Sequence, residues 1–166
     1  MGRCKRLQEY IHYGSKKYDP LKFIPVQNQM FDFKPSGGLW ASPINAPFGW
    51  KEWNGGSNYR VCSEGESFKF TLTKTANVYH INSSRDLAEL PKDAHSSCLF
   101  EIMPSIMAHH TCLDFEKILQ NGVDALQLNI SNDDAEVWEE RLTTKLQCWD
   151  CDTIFVMNKD IIITLP

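Results

Sequence analysis

The chain has 166 residues, with 17 basic and 21 acidic side chains and a formal net charge of −4. This length predicts a single domain over residues 1–166 with one core. The acidic balance argues against tight non-specific binding of nucleic acid, which depends on clustered lysine and arginine. We expect no signal peptide and no membrane span. We therefore expect a cytoplasmic protein whose six cysteines are mostly free thiols.

Short apolar and aromatic runs, bounded by turn residues, predict strands along most of the chain. These runs cover residues 7–13, 27–34, 39–42, 67–73, 77–82, 123–128, 153–157 and 161–165. Helical spacing with capping residues predicts short helices over residues 84–90 and 113–120. Residues 47–54 fit a short helix or a packed loop, and residues 133–146 a further helix. This mixed order predicts an α+β domain with many short strands and a few short helices.

Three segments combine histidine, aromatic and acidic residues. They read Tyr-Ile-His-Tyr-Gly-Ser at residues 10–15, Gly-Gly-Leu-Trp-Ala-Ser-Pro at 37–43 and Trp-Asp-Cys-Asp-Thr-Ile-Phe-Val at 149–156. In order and spacing they resemble the catalytic face of the ADP-ribosyltransferase superfamily, in the His-Tyr-Glu branch of diphtheria toxin and the poly(ADP-ribose) polymerases. The C-terminal half is similar to small bacterial or phage proteins of this type. The resemblance implies an ADP-ribosyltransferase-like split β-sheet core and NAD as the ligand.

The resemblance assigns a catalytic role to three residues. His12 would hydrogen-bond a ribose hydroxyl of NAD. Trp40, which stands where the family has a tyrosine, would stack on the nicotinamide ring. Asp152, at the position of the family's glutamate, would stabilise the positive charge that develops on the ribose, or activate the acceptor. The residues expected to line the NAD groove are His12, Tyr13, Gly14, Ser15, Gly38, Leu39, Trp40, Ser42 and Trp50.

The implied reaction cleaves the nicotinamide–ribose bond of NAD and passes ADP-ribose to a macromolecular acceptor, either protein or nucleic acid. Asp152 is one methylene shorter than glutamate, and a carboxylate set back by ~1 Å costs on the order of 10²-fold in rate. The alternative is therefore a non-catalytic module that binds NAD, ADP-ribose or a related nucleotide in the same groove. A third hypothesis is a bacterial or phage protein whose exposed tryptophans dock a host protein.

Ordinary structural roles compete with each of these assignments. A histidine at a strand end can make a structural hydrogen bond, and the tryptophans can be plain core residues. An acidic residue before a strand, such as Asp152, can be a surface cap, although Asp150 two residues earlier could share its side of the groove. Glu139 and Glu140 are alternative catalytic acids in a charge-rich stretch.

A zinc site is a minor hypothesis. Cys148 and Cys151 form a Cys-x-x-Cys motif, and Cys112 with His109 or His110 offers the remaining two ligands of a tetrahedral site. A single such motif without a second matching pair is a weak signal. We therefore expect NAD as a substrate rather than a resident metal.

Overall fold

The computed structural model describes residues 7–29, 34–57, 62–93, 113–130 and 149–166. Over these residues the chain is an α+β arrangement, a mixed sheet of seven strands with a few short helices, which confirms the predicted class. No helix in these ranges is long and apolar enough to cross a bilayer. The helix predicted over residues 133–146 lies outside them.

Seven of the eight predicted strands form. They are β1 (Glu9–Tyr13), β2 (Leu39–Pro43), β3 (Ser67–Leu72), β4 (Val78–Ile81), β5 (Ala125–Leu128), β6 (Thr153–Val156) and β7 (Ile162–Thr164). Their order across the sheet is β4-β5-β6-β2-β1-β3-β7. Strands β4 and β5 run parallel, and every other neighbouring pair is antiparallel.

In the described ranges, three short α-helices accompany the sheet. They are α1 (Trp50–Ser57), α2 (Ser84–Glu89) and α3 (Phe115–Gln120). The backbone N–H of Asp86 donates to Ser83 Oγ at 3.3 Å, which caps the start of α2. The N–H of Lys117 donates to an Asp114 carboxylate oxygen at 2.9 Å and does the same for α3. These caps confirm the two helices predicted from capping residues, and residues 47–54 include the start of α1.

The strand predicted over residues 27–34 does not form in the part that is described. Gln27 makes only an isolated antiparallel bridge with Ser36. Asn28 instead serves α3: its side-chain amide donates to Asp114 at 2.7 Å, and its side-chain oxygen accepts the N–H of Phe115 at 2.9 Å. These bonds cap the helix, a use of asparagine that an apolar pattern does not reveal.

The sheet buries apolar side chains on both faces. One face packs against α2 and α3 and forms the helix-side core, which includes Leu87, Phe115, Ile118, Leu126, Leu128, Trp149 and Phe155. The other face forms the opposite core, which includes Tyr10, Leu39, Ala41, Phe68, Phe70, Ile154 and Val156. Consecutive strand residues belong to different cores because their side chains alternate between the faces.

The two parts of the sheet meet at a short pairing between β1 and β2. Only Tyr10↔Pro43 and Ile11↔Ser42 are paired there, whereas β1 pairs with β3 at five positions. The Tyr10 hydroxyl links the two parts across this junction, because it donates a 3.0 Å hydrogen bond to Gln127 Oε1 on β5. Both residues are buried. This bond therefore helps to hold the β1-β3-β7 strands to the β4-β5-β6-β2 strands.

Replacing Tyr10 by phenylalanine removes the hydrogen bond to Gln127 and keeps the ring in the core. We expect the free energy of unfolding to fall by about 1–2 kcal/mol, because the Gln127 oxygen stays buried without its donor. The matched control is Tyr18→Phe, whose hydroxyl makes a 3.5 Å bond at a more exposed position. That variant should stay within about 0.5 kcal/mol of the unmutated protein. Urea denaturation measures both, and equal losses would contradict the account of the junction.

Candidate functional site

The imidazole of His12 is fixed at the junction of β1 and β2. Its Nδ1 lies 2.7 Å from the backbone oxygen of Trp40, and its ring centroid lies 5.1 Å from that of Phe68. A carbonyl oxygen only accepts, so Nδ1 carries the proton, and Nε2 of the neutral ring is left as an acceptor. Burial lowers the pKa of His12, and the bond to Trp40 offsets part of that shift. The ring is therefore neutral at physiological pH.

The space beside Nε2 is left open by a glycine. Gly14 has a φ of +117°, and a Cβ placed on it would meet only His12 Nε2, at 3.8 Å. The N–H of Gly14 donates to the backbone oxygen of Glu66 at 2.8 Å, which anchors the end of β1. The Ser15 hydroxyl donates to the Lys17 oxygen at 3.2 Å and so closes a local turn. Within this segment, Nε2 of His12 thus borders the exposed Gly14.

Tyr13 lies on the other face of the sheet, because it follows His12 directly in β1. It is half-buried, and its pKa is raised first by burial and then by the nearby Cys62, Glu52 and Glu64. These neighbours come from α1 and from the segment that leads into β3. The structure therefore places Tyr13 near α1, away from the Nε2 side of His12.

Trp40 packs into the helix-side core. Its ring meets Trp149 edge-on with centroids 4.8 Å apart and lies 4.3 Å from the Phe155 centroid at 33°. Lys34 Nζ lies over the same indole, 5.1 Å from the centroid. The ring of His12 belongs to the opposite face, so the backbone of Trp40 reaches the histidine but its indole does not. The two rings expected to hold one ligand are not brought together.

The turn before Trp40 is explained by packing. Gly38 has a φ of +65°, and its N–H donates to the Ile24 oxygen at 2.9 Å. Its Cα lies so close to the ring of Phe155 that an added Cβ would overlap that ring. Leu39 is buried in the opposite core. Gly38 and Leu39, which were expected to line the groove, therefore have structural roles in the turn and the core.

Ser42 and Asp152 are both buried and both hold the turn that leads into α1. Ser42 Oγ accepts the N–H of Trp50 at 2.9 Å. Asp152 is 1% exposed; its N–H donates to the Phe48 oxygen at 2.8 Å and its carboxylate accepts the Phe48 N–H at 3.3 Å. The carboxylate expected to face a ligand therefore supports the backbone of this turn.

Helix α1 presents two half-buried tryptophans, Trp50 and Trp53. Their centroids lie 4.9 Å apart at 30°, as residues three apart on a helix allow. Glu52 accepts the N–H of Gly49 at 3.0 Å, the side-chain half of a capping box. The Gly49-x-x-Glu52 spacing was the sequence signal for this helix start, and sequence reasoning missed it.

Six of the ten predicted site residues thus fall into two groups, at the neighbouring strands β1, β2 and β6 and at the start of α1. The first group is His12 with Gly14 and the backbone of Trp40. The second is Ser42, Trp50 and Asp152 around the turn at Phe48. Among the described residues Nε2 of His12 has no hydrogen-bond partner, so the first group offers an acceptor atom. The second group fixes the position of α1.

Within the described ranges, no three His, Cys, Asp or Glu side chains are grouped to hold a metal ion. Of the proposed zinc ligands only Cys151 is described. It is buried, and burial raises the pKa of its thiol. Its sulfur lies 3.5 Å from Thr153 Oγ1. The other residues of the zinc hypothesis, and the alternative acids, lie outside the described ranges: Cys112, Cys148, His109, His110, Glu139 and Glu140.

Comparisons of this chain with protein-family models, with curated proteins and with solved structures find no match.

Gly38→Ala tests the packing of the turn. We expect the free energy of unfolding to fall by about 3 kcal/mol or more, because the methyl group meets the Phe155 ring in a left-handed backbone conformation. Gly122→Ala is the matched control, since Gly122 has a φ of +85° with nothing within 4 Å. It should lose only the backbone cost of about 1–2 kcal/mol. Thermal or urea unfolding measures the difference, and a smaller loss at Gly38 would contradict the packing.

The lowered pKa of His12 predicts a pH dependence of stability. The unfolded chain, whose imidazole keeps a pKa of about 6.5, binds more protons than the folded one. The free energy of unfolding should therefore fall as the pH falls from about 7 through the lower folded pKa, and level off below it. His12→Asn keeps an amide donor for the Trp40 oxygen and does not titrate. Urea denaturation over this range should show a shallower slope for the variant; equal slopes would contradict the assignment.

Proposed function

We propose that this chain is an ADP-ribosyltransferase-like protein that binds NAD beside His12. The observation that carries the proposal is the fixed imidazole, with Nδ1 bonded to the Trp40 oxygen and Nε2 facing the open side of Gly14. A ribose hydroxyl is a donor that suits this acceptor, and a partly buried acceptor favours ligands that can pair with it. The resemblance of the three segments supports NAD as the source of that ribose.

The proposed reaction transfers ADP-ribose from NAD to a macromolecular acceptor in the reducing cytoplasm. The nicotinamide–ribose bond breaks, and nicotinamide leaves with the bonding electrons as positive charge develops on the ribose carbon. A nucleophile of the acceptor then bonds to that carbon and releases its proton. His12 would orient the ribose, and Asp152 would stabilise the charge. The free thiols Cys62 and Cys151 suit a reducing compartment.

The burial of Asp152 favours a second candidate, a non-catalytic module that binds NAD, ADP-ribose or a related nucleotide. Asp152 is 1% exposed, and its carboxylate accepts the N–H of Phe48. Transfer would require the turn at Phe48 to release this carboxylate toward the ribose. Binding beside His12 requires no such movement, because Nε2 borders Gly14, where an added Cβ would meet no other atom within 4 Å.

Substitution of His12 tests the ribose contact common to both candidates. His12→Asn keeps a donor for the Trp40 oxygen and removes the acceptor at the Nε2 position. We expect the Kd for NAD to rise about 5–10-fold, the worth of one hydrogen bond, with stability at neutral pH close to that of the unmutated protein. His12→Ala should lose both affinity and stability. Calorimetric titration measures the affinities, and an unchanged Kd in folded His12→Asn would exclude His12 as the contact.

Adenylate-labelled NAD in a cell lysate separates the two candidates. Label on a macromolecule with the unmutated protein, and its loss in Asp152→Asn, would support the transferase. The asparagine oxygen can still accept from Phe48, so this variant keeps the turn. Saturable binding without transfer or nicotinamide release would support the binding module. The absence of any NAD binding would contradict both.

A further inference from the structure

The segment that follows β1 carries an exposed apolar turn, residues 20–25, which we call the apolar tip. Leu21 is 96% exposed and Ile24 63% exposed, the largest values among the large apolar residues of the described ranges. Pro20 and Pro25, at the two ends of the tip, are exposed as well. A single exposed leucine is ordinary, but two such side chains three positions apart mark a candidate contact surface.

The backbone of the apolar tip is anchored to the rest of the protein. The N–H of Leu21 donates to Asp19 Oδ1 at 3.0 Å, which closes the turn. The N–H of Gly38 donates to the Ile24 oxygen at 2.9 Å, and the ring of Phe23 packs against the opposite core. The fold therefore holds Leu21 and Ile24 outward on a fixed backbone, and a contact through them would cost little ordering of the chain.

The charge around the apolar tip has the opposite sign to that of the whole chain. Residues 14–25 contain three lysines and one acid, a net charge of 3 − 1 = +2 in a chain of net charge −4: Lys16, Lys17, Lys22 and Asp19. The three lysines are exposed. The neighbouring Lys159 and Asp160 lie 3.1 Å apart and cancel each other. The apolar tip is therefore complementary to an anionic surface that also offers an apolar phase.

The composition of the apolar tip favours a lipid surface over a protein. Protein interfaces are enriched in arginine and aromatic residues and depleted in lysine, and leucine is under-represented among the residues that dominate their binding energy. Here the outward side chains are aliphatic, and residues 14–25 contain lysine but no arginine. An anionic bilayer matches both parts, because its headgroups attract ammonium groups and its interior accepts aliphatic side chains.

We propose that the apolar tip docks this protein on membranes that contain anionic lipid. Leu21 and Ile24 insert between the headgroups, and the ammonium groups of Lys16, Lys17 and Lys22 contact the lipid phosphates and carboxylates. Two aliphatic side chains and three lysines make a small contact. The association is therefore peripheral, reversible and weakened by salt.

Docking through the apolar tip would hold the His12 site near the membrane. The ring of Tyr18, just before the tip, lies 5.9 Å from that of Phe68, which in turn lies 5.1 Å from the ring of His12. None of the residues proposed to contact NAD takes part in the docking. Lipid binding is therefore independent of the proposed NAD binding, and either proposal can fail without the other.

Co-sedimentation with vesicles tests the charge component of the proposal. We expect the protein to bind vesicles of phosphatidylcholine with about 30% phosphatidylserine, and to bind phosphatidylcholine alone at least about fivefold more weakly. Raising the salt from about 0.1 M to about 0.5 M should weaken the binding to anionic vesicles by a similar factor, because screening shortens the reach of the lysines.

Leu21→Ser tests the insertion. Its side chain is 96% exposed, so the variant should fold as the unmutated protein does. The lipid concentration at half-binding should rise about fivefold or more, because apolar surface no longer enters the bilayer. Ile163→Ser is the matched control. It removes an exposed aliphatic side chain that pairs with Thr71, on the face of the sheet away from the opposite core.

Weaker vesicle binding by Leu21→Ser, with Ile163→Ser and the unmutated protein equal, would support the docking. Circular dichroism and NAD titration should give the same result for all three proteins. Equal vesicle binding by Leu21→Ser would overturn the proposal, as would equal binding to vesicles without phosphatidylserine. The absence of any binding to anionic vesicles would overturn it in favour of a protein partner for the apolar tip.

Discussion

The short pairing of β1 with β2 is the junction on which the continuity of the seven-stranded sheet depends. Two residue pairs join two groups of strands, each with longer pairings of its own. Backbone hydrogen bonds at the junction are therefore few, and side chains supplement them. The Tyr10 hydroxyl reaches Gln127 on β5, and the His12 imidazole binds the Trp40 oxygen where the ladder has ended. Both bonds are partly or fully buried, where a missing partner is costly.

The junction also gives His12 the chemical state that the proposed function needs. The bond that ties β1 to β2 places the imidazole proton on Nδ1, and burial keeps the ring neutral. The remaining nitrogen is then an oriented acceptor beside Gly14. Asp152 differs from His12, because its carboxylate already accepts a hydrogen bond from the backbone of the turn that it supports. One proposed site residue thus keeps a free polar atom, whereas the other has little left to offer a ligand.

Much of the fold follows from local signals. Alternating apolar residues predict β3, and helical spacing closed by Asn121-Gly122 predicts α3, because these depend on neighbours in sequence. The site depends on distant partners. The spacing of His12 and Trp40 suits one groove, yet strand register sends their side chains to opposite faces. The carboxylate of Asp152 bonds to the backbone of Phe48, 104 positions earlier. The bonding of Asn28, in the described part of the strand predicted over residues 27–34, also depends on a distant partner, since it caps a helix 87 positions away.

The most direct test of the central claim is the tautomer of His12, read from the ¹⁵N chemical shifts of its imidazole by nuclear magnetic resonance, with and without ADP-ribose. The account predicts a neutral ring protonated on Nδ1 in the free protein. It further predicts a shift of the Nε2 resonance, with no change of tautomer, when the ribose hydroxyl donates to it. A ring protonated on Nε2, or an Nε2 resonance unmoved at saturating ADP-ribose, would contradict the account.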